Sequence, residues 1–290
     1  MIPNAMQTIS TTPTNNNTGA AIPLPTAIIL ASGLSTRMGC CKQLRPLCGK
    51  PLIRYAVETV LKAGIMHLVI TVNVETQQPI AEMIETLTQE KSAQKPPAQN
   101  GYLKNQADGN TTFPSFHCDI IFNPEPERGQ GHSAALAVQA ACVCHTETLA
   151  VQTARSSCTE CSASNTVHTY TPNGFLFCTA DQPFLQADSI RDLCAVFRLN
   201  PEHIVSAAFN GKHCSPVIFP AALAGELSRL DGSIGGRTVM NAHPDLILYS
   251  PLHSEMEAFD IDTPEDFKRA EEYMQQIIKA EAKEYRTVLS

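Results

Sequence analysis

The apolar positions of the chain fall into two spacings, short unbroken runs and helical stripes, and the two alternate along the sequence. Thr26 to Leu30 (TAIIL) is a β-branched apolar run that breaks into ASGLSTRMG, the pattern of a buried strand feeding a loop. Strands with no polar face belong to parallel sheets covered on both sides. From Pro51, PLIRYAVETVLKAG sets Leu52, Ile53, Ala56, Val57, Val60 and Leu61 on one helical face, with Pro51 suited to the first turn and Gly64 to the stop. His67 to Val72 reads as a second strand and Pro79 to Leu87 as a second helix, so the chain opens β-loop-α-β-α.

The same alternation resumes further on. Asp119 to Phe122 is a strand, NPEPERGQG a long turn, and His132 to Cys144 an Ala-rich helix. Phe175 to Thr179 is a strand that ends in Ala180-Asp181-Gln182-Pro183, and Ser189 to Arg198 is helical. His203 to Phe209 and Pro216 to Phe219 are strands on either side of the turn NGKHCS, followed by a helix over Leu223 to Leu230. DGSIGGR reads as a turn or nest, and Leu246 to Tyr249 as a late strand. Thr263-Pro264-Glu265-Asp266 opens a final helix with a Thr cap, Pro at the first position and an acid at the third. The pattern predicts an α/β protein built on a mainly parallel, doubly wound sheet.

Three segments stand outside it. Residues 1–25, rich in Thr, Asn and Pro without a hydrophobic period, read as a disordered tail. Residues 89–116 and 145–173 read as polar insertions into a single domain spanning 26–290.

Composition narrows the function. A net charge of −7 and a pI near 5.7, with no Lys/Arg-rich run, disfavour a nucleic-acid partner. No stretch approaches the apolar length of a membrane span, and no charged side chain precedes Arg37, so no basic leader is visible. The expectation is a cytoplasmic protein whose 11 cysteines are mostly reduced.

The loop Leu30-Ala31-Ser32-Gly33-Leu34-Ser35-Thr36-Arg37-Met38-Gly39, with Lys42 beyond it, suits a phosphate chain. Small residues let backbone N–H groups approach, and Arg37 and Lys42 supply charge. It is no Walker A loop, because Gly33 and Gly39 are one residue too far apart and Lys42 does not follow the second glycine directly. Gly129-Gln130-Gly131-His132-Ser133-Ala134 fits G-x-G-x-x-A, yet NPEPER separates it from its strand, against a dinucleotide fold. It reads either as a plain helix start or as a ligand-lining segment at Gly131 and Ser133. Asp181 stands beyond a buried strand, where a single carboxylate can seed a Mg²⁺ site. Asp260 or Asp262 could supply a second, and their alternation predicts that one of them faces the site. Cys142, Cys144, His145, Cys158 and Cys161, a C-x-C-H and a C-x2-C pair, offer a competing zinc site, against which stands the helical spacing of the first two. His132, His145 and His213 lack the context of a catalytic triad.

In order, AIILASGLSTRMGCCKQLRPLCGKPLI, GQGHSAAL, FCTADQPFL, CSPVIF, DGSIGGR and FDIDTPEDF resemble the MobA-like NTP transferase family, and most of all its molybdenum cofactor cytidylyltransferases. The resemblance implies a Rossmann-like, three-layer nucleotidyltransferase fold. It also implies Mg²⁺-dependent transfer of CMP from CTP to the molybdopterin cofactor, with release of pyrophosphate. By it, Leu30, Ala31, Ser32 and Gly33 hold the nucleotide, Arg37 and Lys42 grip the triphosphate, and Asp181 and Asp262 ligate the metal. Gly131 and Ser133 face the nucleoside, and DGSIGGR turns toward the pterin. A molybdenum hydroxylase is the implied recipient. Ser32 departs from the family's small Ala or Gly and brings a hydroxyl near the phosphates. A guanylyltransferase, another NTP transferase acting on a phosphorylated small molecule, and a noncatalytic cofactor chaperone are the alternatives.

Overall fold

The computed structural model describes residues 23–34, 41–89, 115–143 and 172–288. Nearly all of the expected tail and both expected insertions therefore lie outside the described residues, as do Arg37, Cys144, His145, Cys158 and Cys161.

The strand runs and helical stripes form where their spacing places them. β1 (Thr26–Leu30) is followed by a small antiparallel ribbon of β2 (Pro46–Leu47) and β3 (Lys50–Pro51), then by α1 (Leu52–Lys62). Pro51 is the residue before α1 and not its first turn. Next come β4 (His67–Val72), α2 (Gln77–Gln89), β5 (His117–Phe122), α3 (Gln130–Val143), β6 (Gly174–Thr179) and α4 (Ala187–Leu199). The second half adds β7 (Ile204–Phe209), β8 (Lys212–Pro220), α5 (Ala224–Leu227), α6 (Arg237–Ala242), β9 (Ile247–Pro251) and α7 (Pro264–Val288).

Seven strands make one sheet in the order β5-β4-β1-β6-β8-β7-β9, and only β8 runs against its neighbours. β1 lies inside the sheet, third in that order, with both faces covered. Ala27 and Ile29 pack with α1, α2 and α4 on one side, while Ile28 packs with α3, α5 and α6 on the other. All three are fully buried, which explains why the strand reads as a continuous apolar run. The result is a three-layer α/β fold with a mainly parallel sheet. A third cluster seats Phe267 and Ala270 of α7 against Leu47, Leu52, Phe184 and Ile261, which anchors the end of the chain beside the carboxyl edge of the sheet.

Three sequence expectations change. The turn expected over NGKHCS is only Asn210-Gly211, both with positive φ (48° and 75°), and Lys212 to Ser215 belong to β8. That is the geometry a two-residue hairpin demands. The helix expected over Leu223 to Leu230 is a 3-10 turn (Ala221–Leu223) running into the single turn of α5. Finally, the DGSIGGR segment leads into α6, six residues that are too few to show a period in the sequence.

Candidate active site

The carboxyl ends of β1, β4, β5 and β6 form one rim, and backbone bonds extend it past the strands. Ala31 N donates to Thr71 O (3.0 Å), and Asn123 N donates to Val72 O (2.7 Å). Asn73 and Asn123, each just beyond a strand, turn their side chains back onto the rim. Asn73 Oδ1 accepts from the N–H groups of Glu75 (2.9 Å) and Thr76 (3.0 Å), and its Nδ2 donates to Ser32 O (3.1 Å). Asn123 Oδ1 accepts from Glu125 N (2.9 Å), and its Nδ2 donates to Ser133 Oγ (3.0 Å). The sequence signal was available in both places, because an asparagine after an apolar run favours such a turn.

Ser32 and Ser133 are buried, and their hydroxyls bond each other at 2.7 Å. The Ser32 hydroxyl expected near the phosphates is thus directed inward and ties the first loop to α3. Gly33 is exposed, and a Cβ there would meet only Gln43 Nε2 at 3.5 Å, an ordinary contact. Among the described residues no close contact requires glycine at that position. Gln43, itself buried, donates from Nε2 to Gly33 O (3.2 Å) and so closes the loop onto its own start.

Gly131 answers a different need. Its added Cβ would stand 2.6 Å from Asp231 O, and its N–H donates to Gly232 O (2.9 Å). Arg128 grips Asp231 through Nε (3.2 Å to Oδ1) and Nη2 (2.9 Å to Oδ2). The G-x-G segment is therefore clasped to the DGSIGGR segment. Sequence reasoning missed that clasp because its halves are 103 residues apart.

The charged centre joins Lys42, Asp181 and Asp262. Lys42 sits on a 3-10 turn (Lys42–Leu44), Asp181 follows β6, and Asp262 precedes the cap of α7. Lys42 Nζ lies 2.6 Å from Asp181 Oδ2, 2.8 Å from Asp262 Oδ1 and 3.0 Å from Ile261 O. Ile261 N donates to Asp181 O (3.1 Å), which fixes the two carboxylate segments side by side. The α7 cap works as expected: Thr263 Oγ1 accepts from Asp266 N (3.1 Å) while Asp266 Oδ2 accepts from Thr263 N (2.9 Å). Burial alone would lower the Lys42 pKa, but Asp181 and Asp262 outweigh it and hold the ammonium above its ordinary value.

Of the alternating pair, Asp262 is the one whose carboxylate touches Lys42 and lines the adjoining cavity, whereas Asp260 is an exposed residue. Loss of solvation and the charges of Asp181 and Asp262 push its carboxyl up to about 6, although part of the residue remains open to solvent. Lys42 and the Gln182 side chain, the latter not anticipated from the sequence, act against that rise. Among the described residues no group of three or more His, Cys, Asp and Glu side chains stands ready to cage a metal. Of the expected zinc ligands only Cys142 is described, exposed near the end of α3.

Beside this centre opens a cavity of about 740 Å³ whose lining includes Leu30, Phe177, Thr179, Cys214, Arg237 and Asp262. The segment of residues 233–237, continuous with the clasp, forms one of its walls, and the cavity also reaches Asp262 and the end of β1 at Leu30. His213 lies at its edge, exposed, whereas His132 is half-buried near Glu125.

A glycine-bearing loop at the end of a central parallel strand, with a lysine and carboxylates beside it, belongs to the nucleotide-handling class of α/β proteins. Residues 27–246 match the MobA-like NTP transferase domain, and the chain belongs to that family. It is therefore a nucleotidyltransferase by family and fold. Over 59 residues it is 41% identical to the bifunctional protein GlmU of a Geobacillus strain, a stretch covering 20% of this chain and 13% of that protein. The chain thus spans only about an eighth of that relative's length.

Solved structures share the fold at low identity. Rv0371c from Mycobacterium tuberculosis H37Rv is 18% identical, covering 86% of this chain and 97% of its own, with a TM-score of 0.56. The same protein in complex with manganese is 16% identical, covering 86% and 99%, with a TM-score of 0.50. A nucleotidyl transferase from Methanothermobacter is 15% identical, covering 88% and 99%, with a TM-score of 0.56. No described helix is long and apolar enough to cross a membrane.

Proposed function

We propose that the chain transfers CMP from CTP to the terminal phosphate of the molybdopterin cofactor, releasing pyrophosphate, with Mg²⁺ as the metal. The observation that carries this reading is the position of Lys42, Asp181 and Asp262, beside both the first loop and the cavity. Leu30, Ala31 and Gly33 hold the nucleotide at the loop, the first two through backbone. Arg37 and Lys42 neutralise the triphosphate and the pyrophosphate as it leaves. The pterin phosphate lies in the cavity, where Arg237 supplies a cation. Holding both polyanions in line is most of the catalysis, and an acceptor phosphate already ionised near neutral pH needs no general base. CTP rather than GTP follows from the loop wording: Ser32-Gly33 stands where the guanylyl branch carries Gly-Gly, and Cys41 rather than an acid precedes Lys42.

Asp181 and Asp262 are the residues that would hold the metal. Asp181 Oδ1 is buried without a hydrogen-bond partner, so the carboxylate keeps an acceptor in reserve. One or two carboxylates suffice for an ion that retains water and phosphate ligands. Such an ion screens the repulsion between the two substrates. The manganese complex of Rv0371c supports a divalent requirement in this fold.

Pyrophosphate release measured with CTP, GTP, ATP and UTP, each with the molybdopterin cofactor and Mg²⁺, tests the reading. CTP with the cofactor is expected to be the productive pair. Turnover with GTP in its place, or with a sugar phosphate as acceptor, would overturn it. A thermal-shift titration with the same four nucleotides adds a binding readout, since a ligand of the native state raises its stability.

A further inference from the structure

Lys42 is no free phosphate-seeking cation in this structure. Its ammonium already bridges Asp181 Oδ2 (2.6 Å) and Asp262 Oδ1 (2.8 Å) and also touches Ile261 O (3.0 Å). These are the two carboxylates assigned above to the metal. From this we infer that Lys42 and the divalent ion compete for one seat: the nucleotide-free protein excludes free metal, and metal enters with the triphosphate as it draws Lys42 out of the gap. The inference rests on the proposed function, which supplies the triphosphate.

Charge and reach both support it. Only 14% of the Lys42 side chain and 16% of the Asp181 side chain are exposed, so the pair is set into the protein and weakly screened. An ammonium is a donor only, so it cannot serve as a ligand to a cation drawn to the same oxygens, and the two positive charges repel. The Lys42 backbone is fixed by its 3-10 turn, where Arg45 N donates to Lys42 O (3.1 Å). Its four-carbon stem lets Nζ change position while the turn stays in place.

The ammonium also leaves the seat incompletely satisfied. Asp181 Oδ1, on the same carboxylate that Lys42 touches, is buried and has no hydrogen-bond partner. A buried acceptor without a donor favours a second occupant that can recruit it directly or through its water shell. Lys42 is thus a placeholder that balances the carboxylates in the resting protein and is displaced when a more highly charged assembly arrives.

Mn²⁺ binding followed by electron paramagnetic resonance tests this on the full chain, comparing wild type, Lys42→Gln and Asp181→Asn with and without CTP. Without nucleotide, Lys42→Gln is expected to bind Mn²⁺ at least about tenfold more tightly than wild type, and Asp181→Asn more weakly than either. Equal or weaker binding by Lys42→Gln overturns the inference. Should Lys42→Gln not fold, the wild type decides: CTP must raise its Mn²⁺ affinity, after correction for Mn²⁺ bound by CTP itself, and unchanged affinity overturns the inference. The functional reading fails separately, by absent pyrophosphate release, which leaves the nucleotide-free metal comparison intact.

Discussion

Gly131→Ala and Gly33→Ala separate two reasons for a glycine in this site. At Gly131 the new methyl would stand 2.6, 2.8 and 3.0 Å from Asp231 O, C and N. These are backbone atoms, so relief requires the 231–236 segment to move as a unit. Gly131 lies in the first turn of α3, where alanine would by itself favour the helix by up to about 1 kcal/mol. Against that gain, overpacking costs about 1–3 kcal/mol. Displacing the segment also weakens the 2.9 Å bond from Gly131 N to Gly232 O, worth about 1 kcal/mol. The unfavourable terms win by roughly 1–3 kcal/mol, or about 2–4 °C in melting temperature for each kcal/mol in a domain of this size. Gly33→Ala meets only a 3.5 Å contact and should change stability by less than about 0.5 kcal/mol. Because its methyl intrudes where a phosphate would approach the backbone, CTP binding should weaken at least about tenfold. Urea denaturation and a CTP titration of both variants give the answer. Wild-type stability in Gly131→Ala, or wild-type CTP affinity in Gly33→Ala, would refute the assignment.

Two further outcomes follow from buried polar contacts. Ser32→Ala breaks the 2.7 Å bond to Ser133 but leaves Ser133 Oγ its bond from Asn123 Nδ2 (3.0 Å), so its cost should be about 0.5–1.5 kcal/mol. The Ser32→Ala/Ser133→Ala pair should cost less than the sum of the singles in denaturation, and strict additivity would count against the bond. Burial opposes ionisation of Glu58, but the hydrogen bonds and charges of Lys50 (2.8 Å) and Arg54 (2.7 Å) outweigh it and hold the carboxyl below its ordinary value. A depressed folded pKa adds stability above the unfolded pKa that disappears as pH falls through the folded one. Glu58→Gln should therefore cost about 1–3 kcal/mol at pH 7 and progressively less in acid, and a pH-independent cost would contradict the ion pairing.

The sheet and its long helices were legible because each carries its own period. Ala27, Ile28 and Ile29 are apolar in succession because helices cover both faces of β1, and Ile53, Val57 and Val60 recur on the one face of α1 that is buried. The ribbon of β2 and β3 and the helix α6 were not legible, since two to six residues give no period to read. Chemistry divides in the same way. A loop hydroxyl can point toward a ligand or into the protein, and Ser32 points inward only because Ser133, 101 residues later, receives it. The alternation of Asp260 and Asp262 follows the logic of a strand, but this stretch is not a strand, and it is the fold that brings Asp262 onto Lys42.

Lys42, Asp181 and Asp262 were each visible in the sequence, but as separate parts: a cation for phosphate and anions for metal. Folding places Lys42 Nζ 2.6 Å from Asp181 and 2.8 Å from Asp262, across 139 and 220 residues of chain, which changes the electrostatics of the site. One ammonium set between two carboxylates, with Asp260 close by, leaves the centre without excess positive charge. A chain with a net charge of −7 offers no long-range attraction to make up the difference. Under the proposed reaction both substrates are polyanions, so bringing them into line requires positive charge that the described part of this site does not hold in surplus. Beyond what Arg37 and Arg237 contribute under that reaction, the charge arrives with the substrates, and the resting position of Lys42 is where the exchange begins.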